Sequence, residues 1–493
     1  MGLDNDSARL LGEALQRLEG GFASLPQMES RDDSGDIARV LAEVAERMHD
    51  NYPYFHPLYA GQMLKPPHAI ARLAYALAMA INPNNHALDG GRASSRMEKE
   101  AVAEIARMFG WDRFLGHLCG GGTMANLEAL WIAGRVASDK VVLASQQAHY
   151  THRRISEVLG LRFEAIACDR HGRMDAGALE ARLAQGDVGT VVATMGTTAT
   201  GSVDPLPEIL RLRDRFGFRI HADAAYGGYF TLAARLAPQA RAAFDCIRSS
   251  DSIVVDPHKH GLQPYGCGCV LFRDPDVGRF YKHDSPYTYF SSTELHLGEI
   301  GLECSRPGAA AVALWATQRL LPLEKGGHFA AGLDRSRVAA VELHHRLESD
   351  ERFTTAFPPE LDIVVWAVAA SSVSEASSLA RATFEEAARH DLHLAVAELP
   401  VAFFDLEKLG MKTDRDTITC LRSVLMKPEH EAWIDRIWER LLHATDTVRL
   451  DARRKALDEE IRVYPTPIPR CDAQFNHLME ERARIVKELD ALR

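Results

Sequence analysis

The residues best suited to chemistry lie where two short apolar runs end. In the first, Phe218-Arg219-Ile220 leads into His221-Ala222-Asp223-Ala224-Ala225-Tyr226. A spacing of two puts His221 and Asp223 on one face of a strand. A carboxylate there can accept the N–H⁺ of a pyridinium ring, and Ala224 and Ala225 let a flat ring lie close to the backbone. Standing alone, Asp223 reads equally well as a cap or a salt-bridge partner. In the second run, Ser252-Ile253-Val254-Val255 enters a turn fixed by Pro257, with Lys259 at its tip between His258 and His260. An amine at that position can form an imine with a carbonyl compound. A lone strand-end lysine reads as a solvated charge, but a lysine and an aspartate on neighbouring strands form a strong signal.

Two further elements fit the same chemistry. Cys119-Gly120-Gly121-Gly122-Thr123-Met124-Ala125-Asn126-Leu127 runs straight into a helical pattern. Glycines let the backbone approach an anion, the first helical amides point at it, and Thr123 adds a hydroxyl at the cap. The run is neither a GxGxxG fingerprint nor a Walker motif, so by itself it says only that a phosphate would fit. Ser145-Gln146-Gln147-Ala148-His149-Tyr150 follows the apolar VVLA, where His149 could stack on the far face of a ring; an ordinary polar loop is the alternative.

These residues need a scaffold that gathers strand ends. From Met97 to Arg273 the pattern alternates, with helical stretches at Glu98–Met108, Met124–Val136, Ala176–Gln185 and Leu206–Phe216. Short β-branched runs lie at Val141–Leu143, Phe163–Ala167, Thr190–Ala193, Arg219–Ala222 and Ile253–Val255. Such alternation predicts an α/β fold with a mostly parallel sheet flanked by helices, whose ligands sit beyond the C-terminal strand ends. Amphipathic helices are expected within the first 50 residues, then a Pro- and aromatic-rich loop and a short apolar helix. A second α/β region follows Leu320, with a strand at Asp362–Val368 and a helix at Glu375–His390. A last helix carries one face through Phe475, Leu478, Met479, Arg482, Ile485, Val486, Leu489 and Leu492.

Composition narrows the classes. The 493 residues are 46% hydrophobic and 25% charged, as in soluble proteins, and are too many for a single core. A net charge of -11 leaves no basic footprint for nucleic acid or for an anionic membrane. The N-terminus is acidic where a secretory signal is basic, and Asp6 replaces the Ser or Thr of a myristoylation motif. The apolar run Ile363 to Ala370 is far too short to span a bilayer. Eight scattered cysteines without a CxxC pair suit a reducing cytoplasm. Cys267 and Cys269 lie near His258 and His260, but they alternate on an apolar strand with no second ligand pair, so no metal site is expected.

Taken together, NPNNHALDGG, GGGTMANL, QQAHY, MGTT, HADAAYGG, DPHKHG and CSRPG, in this order between about Asn51 and Leu323, resemble the group II amino-acid decarboxylases dependent on pyridoxal 5'-phosphate (PLP). These belong to fold type I, the aspartate aminotransferase superfamily. The DPHK-x-G-x-x-P form is similar to microbial tyrosine and aromatic-L-amino-acid decarboxylases. The resemblance implies a homodimer with active sites at its interface. It implies an N-terminal helical and dimerisation segment at 1–85, a large PLP-binding domain at 86–325 and a small C-terminal domain at 326–493.

Position by position, the resemblance makes Lys259 the Schiff-base lysine, Asp223 the pyridinium partner, His149 the stacking histidine and Ala225 the residue under the ring. Gly122, Thr123 and His258 match phosphate contacts, and Thr197 lies near the ring hydroxyl. Gly120 and Gly121 stand where relatives often have Ser, which shifts phosphate binding toward backbone amides. Tyr59, Gln62 and His86 match substrate-facing loops suited to an aromatic side chain, with His86 a partner for a phenol hydroxyl. Tyr289 or Tyr287, in KHDSPYTYFSS, matches the mobile-loop tyrosine near the reacting carbon. The implied reaction releases CO₂ and an amine from an L-amino acid. Aspartate or glutamate as substrate would need a cationic clamp that the sequence does not reveal. Aldehyde-forming oxidative decarboxylation, carbon–carbon lysis like that of sphingosine-phosphate lyase, and a catalytically silent homologue are the rival readings.

Overall fold

Aliphatic runs too short for helices build the main sheet of the computed structural model, which describes residues 5–26, 33–282, 295–406, 410–466 and 472–492. Its strands are β1 (Leu115–Cys119), β2 (Val141–Ser145), β3 (Arg162–Ile166), β4 (Val188–Thr194), β5 (Arg219–Asp223), β6 (Ser252–Val255) and β7 (Gly268–Phe272). They lie in the order β1-β7-β6-β5-β4-β2-β3. Neighbours from β6 through β3 pair in parallel, whereas β7 runs antiparallel to both β6 and β1. The mostly parallel α/β architecture expected from the sequence is therefore present. β2 and β5 to β7 are buried almost throughout, which is why they read as continuous apolar runs rather than alternating ones. The edge strand β3 instead exposes Arg162 and Glu164, charges that blunt an open edge.

The helix Gly122–Val136 fixes the glycine run to this sheet. Its Ala125, Ala129 and Ile132 pack with Val254, Val270 and Phe272, while Leu130 packs with Val142, Ala144 and Val192. Helix Leu206–Phe216 has the bounds expected from periodicity and ends at Gly217, in the left-handed conformation that favours glycine at this position. Among the elements that escaped the sequence reading are β1 and the 34-residue helix His430–Val463.

The chain divides into two units. The first comprises Met1–His56, Met63–Arg337 and Met426–Pro428, and holds the sheet just described. The second comprises Pro57–Gln62, Val338–Leu425 and Glu429–Arg493. Its antiparallel sheet has the order β10-β11-β9-β8, from β8 (Phe353–Thr355), β9 (Ile363–Val368), β10 (Ala395–Pro400) and β11 (Thr417–Val424). Trp366 on β9 is fully buried in that core with Leu343, Leu421 and Ile437. The last helix, Ala473–Leu492, buries Leu478, Ile485 and Leu489 against Leu457, so its apolar stripe packs within its own unit. No helix among the described residues is long and apolar enough to cross a membrane.

Replacing Trp366 by Ala leaves a large void in the second unit's core. The expected cost is about 3–5 kcal/mol, measured as a lowered urea midpoint; an unchanged midpoint would contradict this packing.

Candidate active site

The C-terminal ends of β1, β2, β4, β5 and β6 surround a cavity of about 500 Å³. Its walls include the glycine run Gly120 to Gly122 with Thr123, His149, Asp223, Ala225, His258 and Lys259. Seven residues singled out from sequence thus share one cavity: Lys259, Asp223, His149, Ala225, Gly122, Thr123 and His258. The pairing of Asp223 with Val254 sets β5 and β6 in register, and the turn after β6 closes through the Lys259 N–H on the Asp256 carbonyl at 2.9 Å.

Asp223 is only 5% exposed. Burial by itself would raise its pKa, but the hydrogen bond from His152 and the neighbouring Lys259 hold it well below the ordinary carboxylate range. His152 Nε2 lies 2.7 Å from Asp223 Oδ2, and the Ala225 N–H reaches Oδ1 at 3.2 Å. His221 faces Asn126 Oδ1 at 2.8 Å and Ser252 Oγ at 2.9 Å. Burial pushes its pKa down to about 3, so the ring is neutral. His149, with Nδ1 2.9 Å from Thr151 Oγ1, is likewise lowered, mainly by burial.

On the opposite wall Gly121 has φ +142°, a backbone that L side chains rarely adopt, and caps the helix Gly122–Val136. A Cβ at Gly122 would lie 2.6 Å from Asp256 Oδ2, so only glycine leaves this cradle open. His258 donates from Nδ1 to the Cys267 carbonyl at 2.8 Å, and its Nε2 lies 3.6 Å from Asp256 Oδ2. Lys259 Nζ sits 3.0 Å from Asp256 Oδ2. A helix start with open amides fits a phosphate, the amine fits a carbonyl, and the ionised carboxylate fits a ring N–H⁺. This donor set matches PLP.

A buried polar network holds the surrounding motifs. Glu98 ion-pairs with Arg306 of CSRPG, accepts from Asn85 Nδ2 at 2.6 Å and accepts from the Leu118 N–H at 3.0 Å. The segment NPNNHALDGG, the strand before the glycine run, and CSRPG are thereby tied together. Glu303 lines the cavity and accepts from the Gly120 N–H at 3.2 Å.

Other sequence candidates lie elsewhere. Thr197 is fully buried and spends its hydroxyl on Thr200 Oγ1 at 2.8 Å and the Ser202 N–H at 3.0 Å; Thr194, Gly196 and Thr198 line the cavity instead. His86 is half-buried and is not among the described lining residues. Tyr59 and Gln62 belong to the second unit, where Tyr59 bridges to His393 and Gln62 Oε1 accepts from Arg422 at 3.3 Å. Tyr289 and Tyr287 fall outside the described residues. Sequence reasoning missed His152, Glu303 and Asp256. Asp256 stood inside a motif already quoted, whereas a separation of 71 positions between His152 and Asp223 leaves no local signal.

Comparison with known proteins points the same way. The family model described as the pyridoxal-dependent decarboxylase conserved domain matches residues 25–369. The chain is 28% identical over 411 residues to an L-tyrosine decarboxylase of Enterococcus faecium, covering 63% of this chain and 67% of that protein. It is 27% identical over 451 residues to an aspartate 1-decarboxylase of Aliivibrio fischeri, covering 82% and 78%. Mouse CSAD in apo form superposes with a TM-score of 0.72 at 19% identity, over 90% of this chain and 99% of that one. Oryza sativa TDC with PLP and tryptamine gives the same TM-score, identity and coverage. At such identities the two solved structures speak for the fold.

The histidines set a pH limit. His149, His221, His258 and His260 all have folded-state pKa values lowered by burial from the ordinary 6.5. Below that pH the unfolded chain binds protons that the folded one refuses, so stability falls as pH falls. Burial also works to lower His117, but Glu128 outweighs it and raises the pKa, which opposes the trend. The thermal midpoint should therefore drop between pH 7 and pH 5; a flat profile would argue against neutral buried rings.

Proposed function

The chain belongs to the pyridoxal-dependent decarboxylase family, PLP-dependent enzymes acting on amino acids, and on that premise we propose that it converts an aromatic L-amino acid such as tyrosine to its amine and CO₂. The observation that carries this reading is that the Lys259 amine and the Asp223 carboxylate line one cavity with a glycine-capped helix start. Lys259 would hold the cofactor's aldehyde covalently and Asp223 would pair with its ring nitrogen. The amides of Gly121, Gly122 and Thr123, with His258, would hold the phosphate. When bound, the cofactor supplies an electron sink conjugated to the substrate's Cα.

The chain's own residues do the rest. Asp223, ionised and fixed by two hydrogen bonds, favours a proton on the ring nitrogen. His149, held neutral by burial, offers a flat uncharged face for stacking, while Ala225 leaves space on the other side. Asp256 keeps the Lys259 amine at the cavity wall. Thr197 serves the neighbouring turn and through it the ring-hydroxyl end. Tyr289, or Tyr287, supplies the proton to the reacting carbon.

The aromatic reading draws on the relatives named as tyrosine and aromatic-L-amino-acid decarboxylases and on Tyr59, Gln62 and His86 as substrate-facing residues. We read the protein as a cytoplasmic homodimer, with 1–85 serving dimerisation, 86–325 holding the cofactor and 326–493 forming the small domain. The helix Ser34–Met48 supports this by exposing Ile37, Val40, Leu41, Val44 and Met48. A second reading, an acidic substrate, draws on the relative named as an aspartate 1-decarboxylase.

The test is CO₂, amine and aldehyde release from tyrosine, tryptophan, aspartate and glutamate. Tyramine or tryptamine with stoichiometric CO₂ is expected, and Lys259→Ala should lower turnover by several orders of magnitude and abolish the bound cofactor's absorption band. Aspartate turnover exceeding that of tyrosine would favour the acidic reading. Aldehyde with ammonia would overturn simple decarboxylation, and cofactor binding without turnover would point to a silent homologue.

A further inference from the structure

His152 lies outside the chemistry assigned above, yet it makes the one side-chain hydrogen bond to Asp223 among the described residues. It sits in the first turn of the helix Thr151–Val158, with its ring fully buried. Its Nδ1 is buried without a hydrogen-bond partner. A protonated Nδ1 would be an orphaned donor, costly in a dry interior. The arrangement therefore suits the neutral tautomer with its proton on Nε2, donating to Asp223 Oδ2.

No neighbour duplicates this bond. The charged and titratable groups around Asp223 are His221 on its own strand, His149 just ahead of the helix, and Lys259 beyond β6. His221 is turned to Asn126 and Ser252. His149 is turned to Thr151, and Lys259 to Asp256. Thr194, which pairs with Asp223 across β4 and β5, is uncharged.

We propose that His152 is a positioning residue for the cofactor: its Nε2–H fixes the rotation of the Asp223 carboxylate and keeps it ionised, so that the remaining lone pairs face the cavity and accept the ring N–H⁺. This rests on the reading of Asp223 as the partner of the ring nitrogen. Without His152, desolvation of a carboxylate this buried goes unopposed by a directed donor, and Asp223 takes up a proton at higher pH. Cofactor affinity then fails first on the acid side.

The test strips PLP from the purified enzyme and titrates it back between pH 5.5 and 8.5, following protein fluorescence. His152→Leu should bind PLP about 10-fold more weakly at pH 8, the order expected for one charge-assisted hydrogen bond, with the deficit widening as pH falls. His152→Gln, which keeps an N–H donor, should recover most of the affinity and the wild-type pH profile. A wild-type profile in His152→Leu overturns the proposal. So does an equal loss in both variants at every pH, which is the signature of packing alone. Asp223→Asn separates the two levels: if it binds PLP like wild type, the reading of Asp223 fails, whereas a weakened Asp223→Asn beside an unaffected His152→Leu sinks the role of His152 alone.

Discussion

A carboxylate taken out of water protonates unless its surroundings replace what water supplied, and the site is organised around meeting that demand at Asp223. The side chain lies at the end of β5 with little exposure, a position that alone would neutralise it. A hydrogen bond from His152, a backbone N–H from Ala225 and nearby positive charge reverse the outcome. A buried, ionised acceptor aimed into a cavity is what a ring N–H⁺ requires, because its strength grows as solvent is excluded.

The same rule governs the rest of the floor. His221 beneath the site is kept neutral by burial and held in place by Asn126 and Ser252, so it adds no charge that would compete for Asp223. Glu98 and Arg306, both buried, neutralise one another while bracing the strand that leads to the glycine run. Lys259 is matched with Asp256, which also fills the space that any side chain at position 122 would occupy. Carboxylates and cations are thus paired locally, and the anion-binding amides at the head of the helix Gly122–Val136 remain open. Parallel strands deliver all of these groups to one edge, since each crossover returns the chain to the same side of the sheet.

Periodicity carried much of the fold. The helix Leu206–Phe216 was legible residue for residue, because an amphipathic pattern closed by Gly217 leaves little choice. Strands β2, β4, β5 and β6 were legible because strands buried on both faces must be aliphatic throughout. β1 was not: LGHLC is short and poor in β-branched residues, and its place depends on antiparallel pairing with β7. The helix His430–Val463 did carry a signal, in Ile434, Ile437, Leu441 and Ala444, that went unread.

The sequence by itself determined the ingredients: an aspartate and a lysine at strand ends, a glycine run before a helix, a histidine after a strand, and with them the family. These are local facts, fixed by residue type and by spacing over a few positions. Tertiary structure alone decided which groups meet. It turned Thr197 into its own loop, joined Gln62 to Arg422 in the second unit, and set His152 against Asp223. Contacts between residues distant along the chain follow from strand register and helix packing, which no short stretch of sequence encodes.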